Sequence, residues 1–241
     1  MKLGDRMSGF VKGIFIEECK NRFLCLVKIK NEQHLCYVAS SARLSNFVDL
    51  IGKQVLLIKN KGARTRTEYT LYAVKNANDY IVLNLSAANT LLLEVIRKEY
   101  SSDISIQKEK FTLEGYKSDH LVVSAPPTIV EAKSILSDKV EVRFPSVNGE
   151  RSVRQLKALE EALLKGYHVR YCLVLLSSYI DNVTLDKSAA DFNLRLKKCV
   201  ELGMRVETYR LKVTRKLQFF IERDSHLENS ILGNEVLLNA E

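Results

Sequence analysis

Three charged residues in two apolar segments have the types and spacing that phosphate chemistry needs. Asp119 begins the segment 119–123, and Glu131 and Lys133 lie within "TIVEAK", residues 128–133. Side chains alternate between the two faces of a strand, so Glu131 and Lys133 share one face while the residue between them points the other way. If the two segments form a hairpin, with strands about 4.8 Å apart, the three groups converge at one edge of an apolar sheet.

Such a set suits a divalent cation and a phosphate. Two carboxylates are hard oxygen ligands of the kind that Mg²⁺ and Mn²⁺ prefer. A bound cation polarises a phosphoryl oxygen and lowers the pKa of a bound water, and a lysine can stabilise charge that develops on the phosphate. The alternative is a solvated Glu131–Lys133 pair on an exposed sheet face, with Asp119 as an ordinary turn residue. The short pattern D-x(n)-E-x-K does not by itself decide between them.

Further helices and strands must position this site. The connection 124–127 contains two prolines, which suit a link between strands because proline cannot donate to a ladder. The alternation of strands and helices after it predicts a mixed sheet with helices on its faces. The last twenty-odd residues have a weak pattern and are expected to form a loose extension. The predicted elements are helices 89–100, 152–166 and 188–202 and strands 119–123, 128–133, 168–176 and 204–213.

Residues 10–80 have a different pattern, with short β-rich segments separated by turn residues and no convincing long helix. Five strands within roughly seventy residues predict a small barrel, and the OB-fold is a five-stranded, partly open barrel. The segments are "GFVKGIFIEE", "RFLCLVKIK", "HLCYVAS", "GKQVLLIKNK" and "EYTLYAVKN".

Positive charge is concentrated in the same part of the chain. The 241 residues carry a net charge of +8, and residues 1–80 hold fourteen Lys and Arg against seven Asp and Glu, which leaves +7 there. Such asymmetry is typical of a part that binds a polyanion, although basic proteins are common for other reasons.

Four of these cations, with Tyr69 and Tyr72 nearby, favour contacts to a nucleic-acid backbone together with base stacking. The alternative is a solvated hairpin tip with structural tyrosines. The cations lie in "KNKGARTRTEY" and are Lys59, Lys61, Arg64 and Arg66. Arg151 and Arg154 begin the helix after the candidate site, where a helix N-terminus favours phosphate. Arg154 could equally pair with Glu150 or Asp138.

Other site classes and compartments are less favoured. Five cysteines are widely spaced, and the sequence contains neither a CxxC pair nor a Cys/His cluster, so we do not expect a zinc site. We find no signal peptide and no apolar stretch of membrane-spanning length. We therefore expect a reduced, cytoplasmic protein without a membrane partner. Its oligomeric state stays open, with a homodimer as one option.

Over most of residues 9–215 the chain resembles the sugar fermentation stimulation protein A family. "GIFIEECKNRFLCLVKI" is similar to that family's first strands, and "KGARTRTEYTLYAV" to its basic stretch and Tyr-Thr-Leu strand. "VLNLSAANTLLLEVI" resembles its Asn-containing helix start, with Asn84 and Asn89. "IVEAKS" occupies the place of its Val-Glu-Val-Lys-Asn strand, and "RFPSVNGERSVRQLKAL" that of its Phe-Pro-Asp segment and following helix.

The resemblance implies an α/β protein with an all-β N-terminal part: a small OB-like barrel, then a restriction-endonuclease-like mixed sheet flanked by helices. It implies an OB-like nucleic-acid-binding domain at 1–80, a PD-(D/E)XK nuclease-like domain at 81–215 and an extension at 216–241. It also implies nucleic acid as partner and Mg²⁺- or Mn²⁺-dependent cleavage of DNA or RNA. Asp119 and Glu131 then fall on the metal ligands, Lys133 on the catalytic lysine, and Glu94 where such folds often place a further carboxylate.

The chain departs from the family pattern at three places. "VASSARL", residues 38–44, replaces a Pro-Asn-Thr-Gly motif, which leaves Arg43 and its neighbours to face phosphate. Lys117 replaces the arginine of a Ser-Arg-x-Asp motif, and Ser146 replaces the aspartate of Phe-Pro-Asp. The first functional hypothesis is therefore a metal-dependent nuclease. The second, which the change at Ser146 supports, is a protein that binds nucleic acid without cutting it. A third, regulation of sugar metabolism, rests on the family name.

Overall fold

A computed structural model of the protein describes residues 9–40, 42–61, 66–113, 116–146 and 149–228. In the first third of the chain a sheet has the strand order β3-β2-β1-β4-β5-β6, and a parallel pairing of β3 with β5 closes five of the strands into a barrel. This closure confirms the predicted OB-like fold. The strands are β1 (Phe10–Glu18), β2 (Leu24–Ile29), β3 (Glu32–Val38), β4 (Gln54–Lys59), β5 (Tyr69–Asn76) and β6 (Asp79–Val82).

Every second side chain along the barrel strand β2 points inward and fills the barrel interior. Cys25, Val27 and Ile29 of β2 are buried, while the residues between them point outward. Gly13 allows β1 to approach β2 closely, because a Cβ at this position would lie 2.5 Å from Val27 Cγ1 and 3.0 Å from the Lys28 carbonyl oxygen. The five predicted strands are therefore present, and the short strand β6 is added to them.

The rest of the chain forms a second six-stranded sheet, in the order β14-β13-β11-β9-β8-β7, and a separate parallel pair of β10 with β12. Its three central strands, β9, β11 and β13, are parallel, and antiparallel strands flank them. The mixed sheet with helices is thus confirmed. The elements are α1 (Leu85–Arg97), β7 (Ile106–Leu113), β8 (Tyr116–Val122), β9 (Thr128–Ile135), β10 (Glu141–Phe144), α2 (Glu150–Leu164), β11 (His168–Leu175), β12 (Asn182–Leu185), α3 (Ala190–Glu201), β13 (Arg205–Val213) and β14 (Phe219–Arg223).

The two faces of this sheet belong to different cores. Val130 of β9 packs in the core that contains the buried residues of α1, whereas Ile129 and Ile135 pack in the core that contains those of α2 and α3. Because side chains alternate along β9, Glu131 and Lys133 point to the α2 side. The helices of this half therefore decide which residues can reach the candidate site.

The barrel and the α1 face of the sheet share one hydrophobic core. Phe219 of β14 lies with its ring centroid 5.7 Å from that of Phe10 and 5.0 Å from that of Tyr72. The backbone N–H of Val82 also donates to the Leu176 carbonyl at 2.9 Å. Residues 219–223, expected in a loose extension from 216 onward, therefore form an edge strand of the sheet and fasten the barrel to it. The Phe-Phe-Ile pattern is too short to predict a strand reliably.

Two further differences from the predicted elements have local causes. Helix α1 begins four residues earlier than expected, because the side chain of Asn84 accepts a hydrogen bond from the Ala87 backbone N–H at 3.0 Å and caps the helix. Strand β7, "IQKEKFTL", was not predicted, because charged residues occupy the middle of this edge strand.

Within the described part of the chain, no helix combines the length and the apolar character needed to cross a membrane.

Candidate active site

Glu131 lies at the centre of the candidate site and is only 2 % exposed. Three side chains donate to its carboxylate: Tyr116 Oη to Oε2 at 2.6 Å, Lys133 Nζ to Oε1 at 2.6 Å, and Gln155 Nε2 to Oε1 at 3.1 Å. A buried carboxylate is costly unless it is paired and hydrogen-bonded, and Glu131 meets both conditions. The donors come from β8, β9 and α2, so the site requires all three elements.

Lys133 is held by the same residues. Its ammonium donates to Gln155 Oε1 at 2.8 Å and lies 5.9 Å from the ring centroid of Tyr171. One amide thus donates to the carboxylate of Glu131 and accepts from the ammonium of Lys133, an arrangement that uses both ends of the Gln155 side chain. The lysine side chain stays 20 % exposed, which leaves it accessible from solvent.

Asp119 approaches from β8. The pairing of β8 with β9 ends at His120 and Val130, and beyond that point Asp119 Oδ2 accepts the backbone N–H of Ala132 at 2.8 Å. Burial and the negative charge of Glu131 raise the pKa of Asp119 to about 6, although the N–H of Ala132 and the charge of Lys133 act in the opposite direction. The structure therefore brings Asp119, Glu131 and Lys133 together on one face.

The carboxylates of Asp119 and Glu131 suit a divalent cation whose remaining ligands come from a substrate. Asp119 and Glu131 repel each other electrostatically, and a cation between two carboxylates relieves such repulsion. Among the residues that the structure describes, no three His, Cys, Asp or Glu side chains are grouped so as to hold an ion. Mg²⁺ is commonly bound by one or two carboxylates together with substrate phosphates, and this site offers that number.

The role of Glu94 as a further carboxylate of the site stays a prediction. This residue lies on α1, whose buried side chains Leu91 and Leu92 pack in the core on the opposite face of the sheet from Glu131. His120 of β8 is buried and also faces that side. Burial, followed by the positive charge of Lys108, lowers the pKa of His120, so its imidazole is neutral near pH 7.

Lys117 is an exposed residue of β8 and forms an ion pair with an acidic residue. Its ammonium lies 2.6 Å from Glu109 Oε2 on the neighbouring strand β7. Glu109 adopts a left-handed backbone conformation with φ of 49°, an unusual state for a residue other than glycine. The ammonium of Lys117 is therefore paired with an acid of this chain.

The predicted arginines of α2 lie close to the site along the helix. Arg151 and Arg154 are exposed on its first two turns, and Gln155 follows them directly. Asp138, considered as a partner of Arg154, accepts a hydrogen bond from the backbone N–H of Asp49 at 3.0 Å. Ser146 lies further along the surface, in a cleft that is also lined by Arg143 and Asp186.

The predicted cations of the barrel have different surroundings. Lys59 lies 3.3 Å from Glu68, while Lys61 and Arg66 are exposed, and Arg64 lies outside the described residues. Arg43 donates from Nη2 to the Lys20 carbonyl at 3.1 Å, which fixes part of its guanidinium on the β1–β2 turn.

The two tyrosines near these cations differ in their exposure. Tyr72 is 1 % exposed in the core, and Tyr69 is half-buried with its ring edge-on to His34 at 5.5 Å between centroids. Tyr72 has no free face for a base, so the expectation of stacking beside the basic turn is wrong for that residue.

Two residues of the site could not be found from the spacing of charges. Gln155 is one of many polar residues on the amphipathic helix α2, and no pattern distinguishes it from the others. Alternation from Asp119 would place Tyr116 on the opposite face, but its ring lies in the α2-side core where β8 has separated from β9. Only the three-dimensional path of β8 brings this hydroxyl to Glu131.

Comparisons with known proteins match both halves of the chain. A family model described as "SfsA N-terminal OB domain" matches residues 18–83, and one described as "Sugar fermentation stimulation protein RE domain" matches residues 86–217. The first range covers the barrel from the end of β1 to β6, and the second covers the helices and strands from α1 to β13.

Curated relatives extend over most of the chain. A sugar fermentation stimulation protein homolog of Caldivirga maquilingensis is 28% identical over 218 residues, covering 85% of this chain and 90% of the relative. One of Pelagibacter ubique is 27% identical over 217 residues, covering 86% and 91%.

A solved structure has the same fold. Pyrococcus furiosus SfsA in complex with Ca²⁺ superposes with a TM-score of 0.77 at 19% identity, over 90% of this chain and 95% of that one. At that identity the similarity concerns the arrangement of the chain in space.

Proposed function

Because this chain belongs to the sugar fermentation stimulation protein family, we propose that it is a metal-dependent nuclease that hydrolyses phosphodiester bonds in DNA, RNA or both. The observation that supports this most strongly is the meeting of Asp119, Glu131 and Lys133 around the amide of Gln155. An ordinary solvated ion pair would not need a carboxylate that is 2 % exposed and has three side-chain donors.

Asp119 and Glu131 would hold Mg²⁺ or Mn²⁺. When bound, such an ion supplies Lewis-acid stabilisation of a phosphoryl oxygen and a water of lowered pKa. The raised pKa of Asp119 supports this role, because a carboxylate that is destabilised by a neighbouring charge gains most from a cation. The Ca²⁺ in the Pyrococcus furiosus structure is also a hard, oxygen-binding cation, and it supports a cation site in the family.

The protein's own residues would orient the substrate and stabilise charge. Lys133 presents an ammonium that Gln155 holds in place, and it would stabilise negative charge that grows on the scissile phosphate. Glu131 fixes the same ammonium from the other side. Arg151, Arg154 and Lys117 would contact neighbouring phosphates and keep the strand in register with the site.

The barrel would supply most of the affinity. The net charge of +7 in residues 1–80 supports binding of a polyanion by counterion release, and the OB-fold is widely used for single strands. Arg43, Lys59, Lys61, Arg64 and Arg66 are the proposed backbone contacts.

A second candidate function is binding of nucleic acid without cleavage. Both oxygens of Glu131 accept hydrogen bonds from side chains of this protein, so this carboxylate is satisfied without a cation. Ser146, in place of the family's aspartate, points in the same direction. Regulation of sugar metabolism has only the family name in its support.

Incubation of the full chain with end-labelled DNA and RNA, with Mn²⁺ or with EDTA, tests the proposal. We expect shortened products only with the metal ion, and none from Lys133→Ala. Lys165→Ala, which changes an exposed lysine at the C-terminal end of α2, is the matched control and should cleave like the wild type. Tight binding without products under every condition would favour the second candidate.

A further inference from the structure

One aromatic side chain close to the candidate site is exposed to solvent. Phe111 of β7 is 68% exposed, more than any other aromatic residue that the structure describes. Leu113, two residues further along the strand, packs against the core on the α2 side of the sheet. Lys108, Glu109 and Lys110 precede the ring. Phe111 is therefore an isolated apolar surface on a charged edge strand.

A single exposed apolar residue needs no explanation by itself, but the register of β7 and β8 places this one next to the candidate site. Phe111 lies directly opposite Lys117, and Lys117 is two residues from Asp119 on β8. Along β8 the buried residues 118, 120 and 122 alternate with 117, 119 and 121, so Lys117 and Asp119 share the more open face. Diagonal neighbours such as Phe111 and Asp119 lie about 7 to 8 Å apart, within reach of an aromatic side chain.

The charges that border the ring offset each other. Lys117 Nζ lies 2.6 Å from Glu109 Oε2, so one cation and one acid form a pair beside Phe111. The order of the strands puts β8, with Asp119, between β7 and β9, so Lys133 of β9 lies on the other side of Asp119 from the ring. An uncharged base suits a ring in such neutral surroundings, while the scissile phosphate belongs at Lys133.

We propose that Phe111 stacks on an unpaired base of a strand whose phosphate lies at Asp119 and Lys133, so that the site favours a single strand over a duplex. This inference rests on the proposed function and names its substrate class. Stacking on an aromatic side chain needs a free base face, and a duplex keeps its bases stacked on one another. A second copy of this chain is the less favourable occupant of the edge. Pairing of two β7 strands would bring their lysines together, and the left-handed backbone at Glu109 interrupts the strand.

The test measures binding to a fluorescein-labelled 20-nucleotide single strand, to an abasic strand of the same length and to the duplex, by fluorescence anisotropy with Mn²⁺ present. The full chain carries Lys133→Ala so that cleavage does not interfere. We expect Phe111→Ala to weaken binding of the strand with bases about tenfold, in line with the stacking energy of one base, and to change binding of the other two ligands much less. Phe111→Tyr should retain the affinity, because it keeps the ring. Phe220→Ala, at an aromatic residue of the opposite edge strand β14 with 40% exposure, is the matched control and should bind like the parent.

Unchanged single-strand binding by Phe111→Ala would overturn the inference. An equal loss for the abasic strand or the duplex would also overturn it, because the abasic strand keeps the phosphates and lacks only the bases. A lower sedimenting mass of Phe111→Ala than of the parent would identify β7 as a contact between copies, with the same consequence. The nuclease proposal fails separately. Metal-dependent cleavage by the wild type with no effect of Phe111→Ala on binding refutes only the stacking role, whereas base-dependent binding through Phe111 without any cleavage refutes only the nuclease.

Discussion

The carboxylate of Asp119 accepts a hydrogen bond from the backbone N–H of Ala132 at 2.8 Å. Ala132 is the residue between Glu131 and Lys133, so this one contact sets the position of Asp119 relative to both. It occurs where the ladder between β8 and β9 has ended, and the side chain replaces the backbone partner that Ala132 would otherwise have. The separation of the two strands opens the sheet between β8 and β9 at the candidate site.

Glu131→Gln and Lys133→Ala should abolish cleavage for different reasons. The glutamine keeps the shape but loses a negative charge, so the affinity for metal should fall and excess Mn²⁺ should restore part of the activity. The alanine leaves both carboxylates but removes the charge-stabilising ammonium, so no metal concentration should restore cleavage. The measurement is product formation against Mn²⁺ concentration. Equal cleavage by the wild type and both variants would contradict the assignment of the site.

Gln155→Leu should lower the rate of cleavage by about 10- to 100-fold, the usual effect of removing a residue that orients ligands or catalytic groups. Leucine has a similar volume but cannot bond Glu131 or Lys133, so the ammonium is no longer held. We expect kcat to fall while KM stays nearly constant, because substrate contacts elsewhere remain. Glu161→Leu, at an exposed position of the same helix, controls for changes in α2. A loss that appears only in KM would assign Gln155 to substrate binding instead.

The stability of the metal-free protein should depend on pH through Asp119. Its pKa of about 6 lies above the ordinary value near 3.9, so the folded state favours the protonated form. This stabilising contribution is complete below about pH 4 and is lost as the pH rises through about 6. Urea denaturation of the wild type and Asp119→Asn at a series of pH values, with EDTA present, measures it. The wild-type free energy of unfolding should fall relative to the variant between pH 4 and 6.5; a constant difference would rule out the shifted pKa.

Binding of nucleic acid by the whole chain should weaken steeply with salt. Lys61 and Arg66 are exposed, and replacement of both by alanine should reduce the slope of log affinity against log salt by roughly 1.5 if each contacts a phosphate. Lys165→Ala should leave the slope unchanged. The measurement is anisotropy of a labelled strand across a range of salt concentrations. An unchanged slope in the double variant would remove these two residues from the interface.

Phe219→Ala should destabilise the whole protein by about 3 to 5 kcal/mol, because it empties a position at the junction of the barrel and the sheet. Phe220→Ala on the same strand, 40% exposed, should cost far less. Thermal unfolding followed by circular dichroism should show one transition for each variant, since barrel and sheet share a core. Two separate transitions in the wild type would show that the halves unfold independently.

The sequence predicted the central part of the site because it depends on local geometry. Alternation along one strand places Glu131 and Lys133 on the same side, and a single short connection brings Asp119 beside them. Gln155 and Tyr116 depend on the crossing of α2 over the sheet and on the bend of β8, which no periodic pattern encodes. For Glu94, which was assigned from a resemblance alone, the sequence does not specify the face of the sheet that its helix covers.

The strands of the barrel were predictable because each has an apolar side and a turn at its end. β7 was not, because "QKEK" gives this edge strand a polar centre. β14 was not, because its apolar residues are few and its role is set by partners far away in the sequence, such as Phe10 and Tyr72. The expectation of base stacking on Tyr72 failed for a related reason, since proximity to a basic segment does not reveal whether an aromatic ring is buried.

The hydrophobic core that the barrel and the sheet share also fixes the distance between the barrel and the candidate site. Two domains on a flexible tether sample many separations, whereas here the distance from the surface of the barrel to Lys133 is set by side-chain packing. A strand that lies on the barrel and enters the site must span that distance with a constant number of nucleotides. The length of the shortest substrate that contacts both the barrel and the site would then indicate this distance.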